Sequence, residues 1–243
     1  MKKKIALILI GTMLMGLTLS ACGNDKDMPK NDEKTEDSAE TSSNEENKTT
    51  FTVGFDAEYP PYGYMDENGE YTGFDLELAE AVCKLEGWEL VKKPINWDAK
   101  DMELNSGAID CIWNGFTMNG REDEYTFSIP YVDNSQVIVV AENSGINTPE
   151  DLAGKTVGVQ AASAALELLQ SDEKDGQKAL ADTFGALNEF ADYNTAFTEL
   201  QAGALDALAI DIGVANYQIK SRGEGYKILE ETLNTEQYAI AFK

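Results

Sequence analysis

Histidine is missing from this sequence altogether. That removes the side chain which most often acts as a general base near neutral pH and most often ligates a transition metal. Cysteine occurs three times, at Cys22, Cys83 and Cys111, and no spacing of cysteines or carboxylates matches a metal site. Basic residues are scarce: 19 Lys and Arg stand against 44 Asp and Glu, for a formal net charge of −25. So acidic a surface repels phosphate backbones and anionic headgroups, which argues against nucleic acid or an anionic membrane face as a partner. Long apolar runs are also wanting. Ile5 to Leu19 is too short to span a bilayer comfortably, and no later stretch does so.

What is present begins with an export signal. Lys2, Lys3 and Lys4 precede that apolar run, which ends in LSAC, with small residues just ahead of Cys22. The pattern resembles a bacterial lipobox. It assigns residues 1–21 to a lipoprotein signal peptide and makes Cys22 the lipidated residue that anchors the chain; an ordinary secretory signal with an incidental cysteine is the alternative. Loss of 1–21 removes three lysines and no acid, taking the formal charge from −25 to −28. Residues 22–50 are polar and charged with almost nothing to place in a core, the composition of a disordered acidic tether. In an exported protein Cys83 and Cys111 are open to pairing as a disulfide, or remain two separately buried thiols.

From Phe51 onward strands and helices alternate. FTVGFDA (51–57) reads as a strand, and Asn68-Gly69 marks a hairpin. The next segment places Phe74, Leu78, Val82 and Leu85 at helical spacing, with Thr72 and Asp75 as a capping box and Gly87 as the stop. WELVKKP, a short helix ending at Gly107, and AIDCIWN continue the alternation. It then restarts: QVIVVA is a strand, Thr148-Pro149-Glu150-Asp151 opens a short helix, and KTVGVQ leads into a helix from Ser163. Asn194 is the expected cap of TAFTELQAG, and ALDALAID is the strand after it. This alternation implies an α/β fold with right-handed crossovers and mainly parallel sheets.

One internal echo organises the whole. ELNSGAIDCIWNG (103–115) aligns without a gap to ELQAGALDALAID (199–211), each a helix end, a glycine stop and an Asp before an apolar strand. Two lobes on one plan follow, with a cleft between the carboxyl ends of their strands. Asp211 then stands at the end of a buried strand, where an ionised carboxylate needs a partner. Its bland role would be to cap a helix starting near Ile212. In the other lobe Asn114-Gly115 offers a flexible turn, Thr117 a hydroxyl, and Arg121 a guanidinium suited to a carboxylate, unless it merely pairs with Glu122 or Asp123. Ser163 can cap its helix or face an anion.

FDAEYPPYGY, YTGFDLELAEAVCKLEGWE, NSGAIDCIWNGFTMNGRED, FSIPY, EDLAGKTVGVQ and LQAGALDALAID, in this order, resemble the type 3 extracellular solute-binding proteins over about 50–243. The resemblance implies a two-lobed periplasmic-binding-protein-like fold. The first lobe would cover 51–132 with 239–243 returning to it, and the second 133–238, with hinge strands near Tyr131–Gln136 and Asn234–Ala239. It implies an extracytoplasmic, lipid-anchored monomer that delivers a polar amino acid to the membrane permease of an ABC importer, without a cofactor. Arg121 would take the ligand α-carboxylate and Asp211 its α-ammonium. Thr117, Ser163 and the Asn114–Gly115 loop would add polar contacts, Tyr59 and Trp97 aromatic walls, and Asp56 a position near the side chain, with Trp113 and Gln160 as further neighbours.

Three departures accompany the resemblance. The interval from Thr117 to Arg121 is one residue short, Ala162 and Ala164 replace a common glycine and hydroxyl residue, and the chain stops at EQYAIAFK, where a further helix of the first lobe is expected. Asp56, Glu58 and Gln160 supply no cation for a second ligand carboxylate, which favours a neutral polar or cationic side chain such as glutamine, cystine, arginine or lysine. Catalysis by a dehydratase-like relative and a sensory ligand-binding subunit are the alternatives. The first is weakened by the missing histidine, the second by the lack of a later membrane span.

Overall fold

The computed structural model describes residues 49–243. The signal peptide, Cys22 and most of the expected tether lie outside the described residues. Among those described, no helix is long and apolar enough to cross a membrane.

The chain opens with β1 (Thr50–Phe55), a small three-stranded sheet of β2 (Glu58–Tyr59), β3 (Gly63–Met65) and β4 (Tyr71–Thr72), then α1 (Phe74–Glu86) and β5 (Glu89–Pro94). A single 3₁₀ turn at Trp97–Ala99 leads into α2 (Lys100–Asn105), β6 (Cys111–Ile112) and β7 (Thr126–Phe127). The second half contains β8 (Val132–Ala141), β9 (Thr156–Gln160), α3 (Ala164–Gln170), α4 (Lys178–Ala181), β10 (Ala186–Phe190), α5 (Tyr193–Ala202), β11 (Ala207–Asp211), α6 (Ile212–Arg222), β12 (Tyr226–Ile228), β13 (Asn234–Tyr238) and β14 (Ala241–Phe242). Two main sheets result, in the orders β5-β1-β6-β14-β7 and β10-β9-β11-β8-β12, with β13 also paired to β8.

In each sheet the βαβ units are parallel, as the alternation predicts: β5, β1 and β6 in one, β10, β9 and β11 in the other. The antiparallel pairs come mainly from segments crossing between lobes. β8 and β13 run antiparallel in the second sheet, and β14 returns to pair with β6 and β7. The crossings stay joined: Tyr131 N–H donates to Tyr238 O at 2.9 Å and Ser128 N–H to Ile240 O at 3.0 Å.

Apolar runs without alternation become strands buried on both faces. Val137 and Val139 of β8, with Leu208 and Ile210 of β11, pack against Phe197 and Val214. Ile138, Val140, Ala207 and Ala209 face the opposite layer with Leu166 and Leu169. In the first lobe Val53, Phe55 and Cys111 face Leu76 and Ala79 of α1.

The echo holds at atomic detail. Gly107 and Gly203 both sit at φ 75°, where glycine carries no Cβ penalty. Asp110 receives the Thr52 N–H at 2.6 Å, while its own N–H donates to Thr52 O at 2.8 Å. Asp206 repeats both contacts with Thr156, at 2.8 Å each.

Several local expectations change. The Thr72–Asp75 capping box does not form: Gly73 holds the N-cap position, and Asp75 is buried, receiving the Gly115 N–H at 2.5 Å. The buried stripe of α1 is Asp75, Leu76, Ala79 and Cys83, while Phe74 and Leu85 face solvent, because the acid at 75 turns inward to an unpaired backbone donor. Asp192, not Asn194, caps α5 by accepting the Thr195 N–H at 2.7 Å. Cys83 and Cys111 are two free buried thiols. Thr148 and Asp151 form their expected capping box, and Gly87 and Ser163 cap as expected.

Candidate functional site

The carboxyl ends of the strands in both lobes converge on one small cavity. Tyr59, Trp97, Gly115, Thr117 and Arg121 line it from the first lobe; Gln160, Ser163 and Asp211 line it from the second. Its volume is about 10 Å³, so the lining side chains nearly close it. Trp97 also borders a larger neighbouring cavity of about 650 Å³, lined by Asp56, Glu58, Asp98, Glu103 and Asp192.

Asp211 sits at the N-cap position of α6, but its side chain caps nothing. Its Oδ1 instead accepts from Asn134 Nδ2 at 2.7 Å, Gln136 Nε2 at 2.7 Å and Tyr238 OH at 2.6 Å. The same two amides donate to Glu236 Oε1, each at 2.8 Å, and Thr117 Oγ1 donates to it at 2.7 Å. Two buried carboxylates are thus bridged by two amides. Burial first, then the charge of Glu236, pushes the Asp211 carboxyl up to about 6, against the lowering effect of the Tyr238, Tyr59 and Gln136 hydrogen bonds.

Asp56 is buried beside the larger cavity, accepting from Gln160 Nε2 at 2.6 Å and Glu58 N–H at 2.8 Å. Burial raises its carboxyl to about 6. Neither Asp56, Asp75, Asp211 nor Glu236 forms an ion pair among the described residues.

The guanidinium of Arg121 is buried at the cavity rather than paired on the surface. Arg121 pairs with neither Glu122 nor Asp123. Its Nε and Nη2 lie 3.1 and 2.8 Å from Glu167 of α3, its Nη1 donates to Thr117 O at 3.2 Å, and it stacks 4.6 Å over the Phe116 ring.

Other predicted residues are partly committed to the fold. The Gly115 N–H is held by Asp75, so the loop does not offer that donor to the cavity. Gly115 has φ 57°, and a Cβ there would meet the Tyr238 ring at 2.9 Å and Tyr59 at 3.1 Å. Asn114 is buried behind the lining with both amide atoms unpartnered, and Trp113 belongs to the first-lobe core. Ser163 Oγ accepts the Leu166 N–H at 3.2 Å and donates to Gln160 O at 2.7 Å, which uses its hydroxyl structurally. Ala162 adopts φ 54°, and its carbonyl accepts from Lys100 Nζ at 3.1 Å across the lobes.

Asn134, Gln136, Glu236, Tyr238, Lys100 and Glu167 escaped the sequence reading. The first four carried a signal: polar residues two apart on each crossing strand share a face. Lys100 and Glu167 carried none, since both read as ordinary charges in the first turns of short helices.

A two-lobed α/β fold, crossed by paired strands and holding buried, unneutralised acids opposite a buried arginine at the cleft, defines a protein that captures small solutes. The sequence matches the bacterial extracellular solute-binding proteins, family 3, over residues 51–231, and the chain belongs to that family. It is 29% identical over 197 residues to the L-cystine-binding protein TcyJ of Escherichia coli, covering 80% of this chain and 71% of that protein. It is also 29% identical to the arginine-binding extracellular protein ArtP of Bacillus subtilis, covering 100% of this chain and 87% of ArtP. Among solved structures, a histidine-bound substrate-binding protein of an ABC uptake transporter from Streptococcus pneumoniae superposes with TM-score 0.74 at 34% identity, covering 80% of this chain and 79% of that one. An ancestral arginine-binding protein bound to glutamine gives TM-score 0.72 at 37% identity, covering 81% and 84%.

Proposed function

We propose that this chain captures a polar amino acid between its lobes outside the cytoplasm and delivers it to the permease of an ABC importer. The observation that carries this reading is the charge layout of the cleft: Asp211 and Glu236 are buried with amides and no cation, and Arg121 lies at the same cavity. An α-ammonium near Asp211 supplies the missing positive charge, and an α-carboxylate suits the guanidinium. Tyr59 and Trp97 wall the site, with Thr117, Gln160 and Ser163 shaping it. Asn114 and Gly115 support the loop from behind, Gly115 through close contact with both tyrosines.

The ligand side chain extends toward Asp56 and the neighbouring acids, so neutral polar or cationic residues are favoured over acidic ones. Segments 51–132 with 239–243, and 133–238, act as the two moving bodies, with Tyr131–Gln136 and Asn234–Ala239 as hinges. Cys22 carries the lipid that keeps the monomer at the membrane. The protein binds and releases its ligand without chemical change.

Titration calorimetry against the common amino acids and L-cystine tests this. At least one neutral polar or cationic amino acid is expected to bind with a dissociation constant near micromolar, about −8 kcal/mol. Arg121→Met is expected to weaken that binding more than tenfold. Binding of glutamate alone, or unimpaired binding by the variant, refutes the assignment.

A further inference from the structure

The guanidinium of Arg121 is fixed on two sides within its own lobe, by the Thr117 carbonyl and the Phe116 ring. Its remaining edge, Nε with Nη2, is taken by both oxygens of Glu167 at 3.1 and 2.8 Å. Glu167 belongs to the first turn of α3, in the second lobe. The pair therefore crosses the cleft, with Nε donating to one Glu167 oxygen and Nη2 in ion-pair contact with the other, on the edge by which an arginine can hold a free carboxylate. The two partners are unequal. Arg121 has 6% of its side chain exposed, whereas Glu167 has 55%, so the acid can leave for water at little cost while the arginine stays in place. Lys100, whose Nζ also reaches across the cleft to Ala162 O, remains on the first lobe beside the arginine when the acid departs.

We propose that Glu167 is a built-in competitor for the ligand carboxylate, holding Arg121 across the cleft until an amino acid displaces it. The inference rests on the amino-acid reading above. It has two consequences. The pair draws the lobes together without added ligand, and it withdraws a share of molecules from those able to accept ligand, which lowers the apparent affinity. Glu167 thereby sets how tightly the site binds without touching the ligand in the final complex.

The test uses Glu167→Gln and Glu167→Ala in the full chain, with two measurements. Small-angle X-ray scattering without added amino acid is expected to show a larger radius of gyration in both variants than in the wild type. Titration with the common amino acids and L-cystine is expected to show at least threefold tighter binding of whichever the wild type binds. Where the wild type binds one of them, both quantities must move. Unchanged scattering, unchanged affinity or weaker binding overturns the proposal, and a lowered melting temperature alone reduces Glu167 to a first-turn acid of α3. A wild type that binds none of the common amino acids or L-cystine defeats the amino-acid reading instead, and scattering then decides whether Glu167 closes the cleft.

Discussion

Asp211 holds the N-cap position of α6 yet gives its carboxylate to Asn134, Gln136 and Tyr238. Two roles that a sequence cannot separate are separated by what Asp211→Asn should do. Loss of a side-chain cap would cost about 0.5–2 kcal/mol. Here the substitution removes a buried charge next to Glu236, so the melting temperature is expected to hold or rise. Amino-acid binding should weaken more than tenfold, about 1.4 kcal/mol or greater. Thermal denaturation paired with calorimetry on one preparation checks both. Ala162 gives a second residue-level prediction. Its φ of 54° is a left-handed conformation that costs a residue with a Cβ about 1–2 kcal/mol. Glycine removes that strain but adds about 0.5–1 kcal/mol of unfolded-chain freedom. Ala162→Gly should therefore stabilise the fold by about 0.5–1 kcal/mol in denaturant melts.

Between residues and the whole fold lie the two copies of the helix–glycine–strand unit. Asp110 and Asp206 tie each copy to the adjacent parallel strand, β1 or β9, through the same pair of hydrogen bonds, to Thr52 and Thr156. Asp110→Ala and Asp206→Ala should each cost about 1.5 kcal/mol, the lower end of the scale for a hydrogen bond to a charged group, and the double variant should sum them, since the clamps share no partner. Urea titration of the three variants checks this. These units were legible in sequence because glycine stops, apolar runs and short-range caps are local, and Thr148–Asp151 formed as read. Asp75 was not. Its position three residues after Thr72 suggested a local cap, but the Gly115 N–H forty positions away provided the better partner. Glu167 was illegible for the same reason: it acquires its role from Arg121 on a distant segment, and nothing near it distinguishes it from a solvated acid.

At the scale of the whole molecule, the cleft joins closure to protonation. Burial raises Asp211 and Asp56 to about 6 and Asp75 to about 7, from ordinary values of 3.8. A carboxyl raised in the folded state contributes no penalty below the unfolded value, where it is protonated in both states. As pH climbs through the folded value, the unfolded chain has already ionised and the folded chain must ionise in burial, so stability falls. The melting temperature without ligand is thus expected to decline between pH 5 and 7. Ligand binding should run the other way, because an α-ammonium near Asp211 favours its ionised form. Affinity should drop about tenfold per unit as pH falls below 6, and the rise in melting temperature caused by the amino acid should shrink with it. Melts from pH 5 to 7.5, with and without amino acid, measure both trends at once. Asp211→Asn should flatten the dependence of binding on pH while Asp75 and Asp56 continue to shape the melt without ligand. If binding kept its steep pH dependence in that variant, the ammonium would have to sit elsewhere in the cleft.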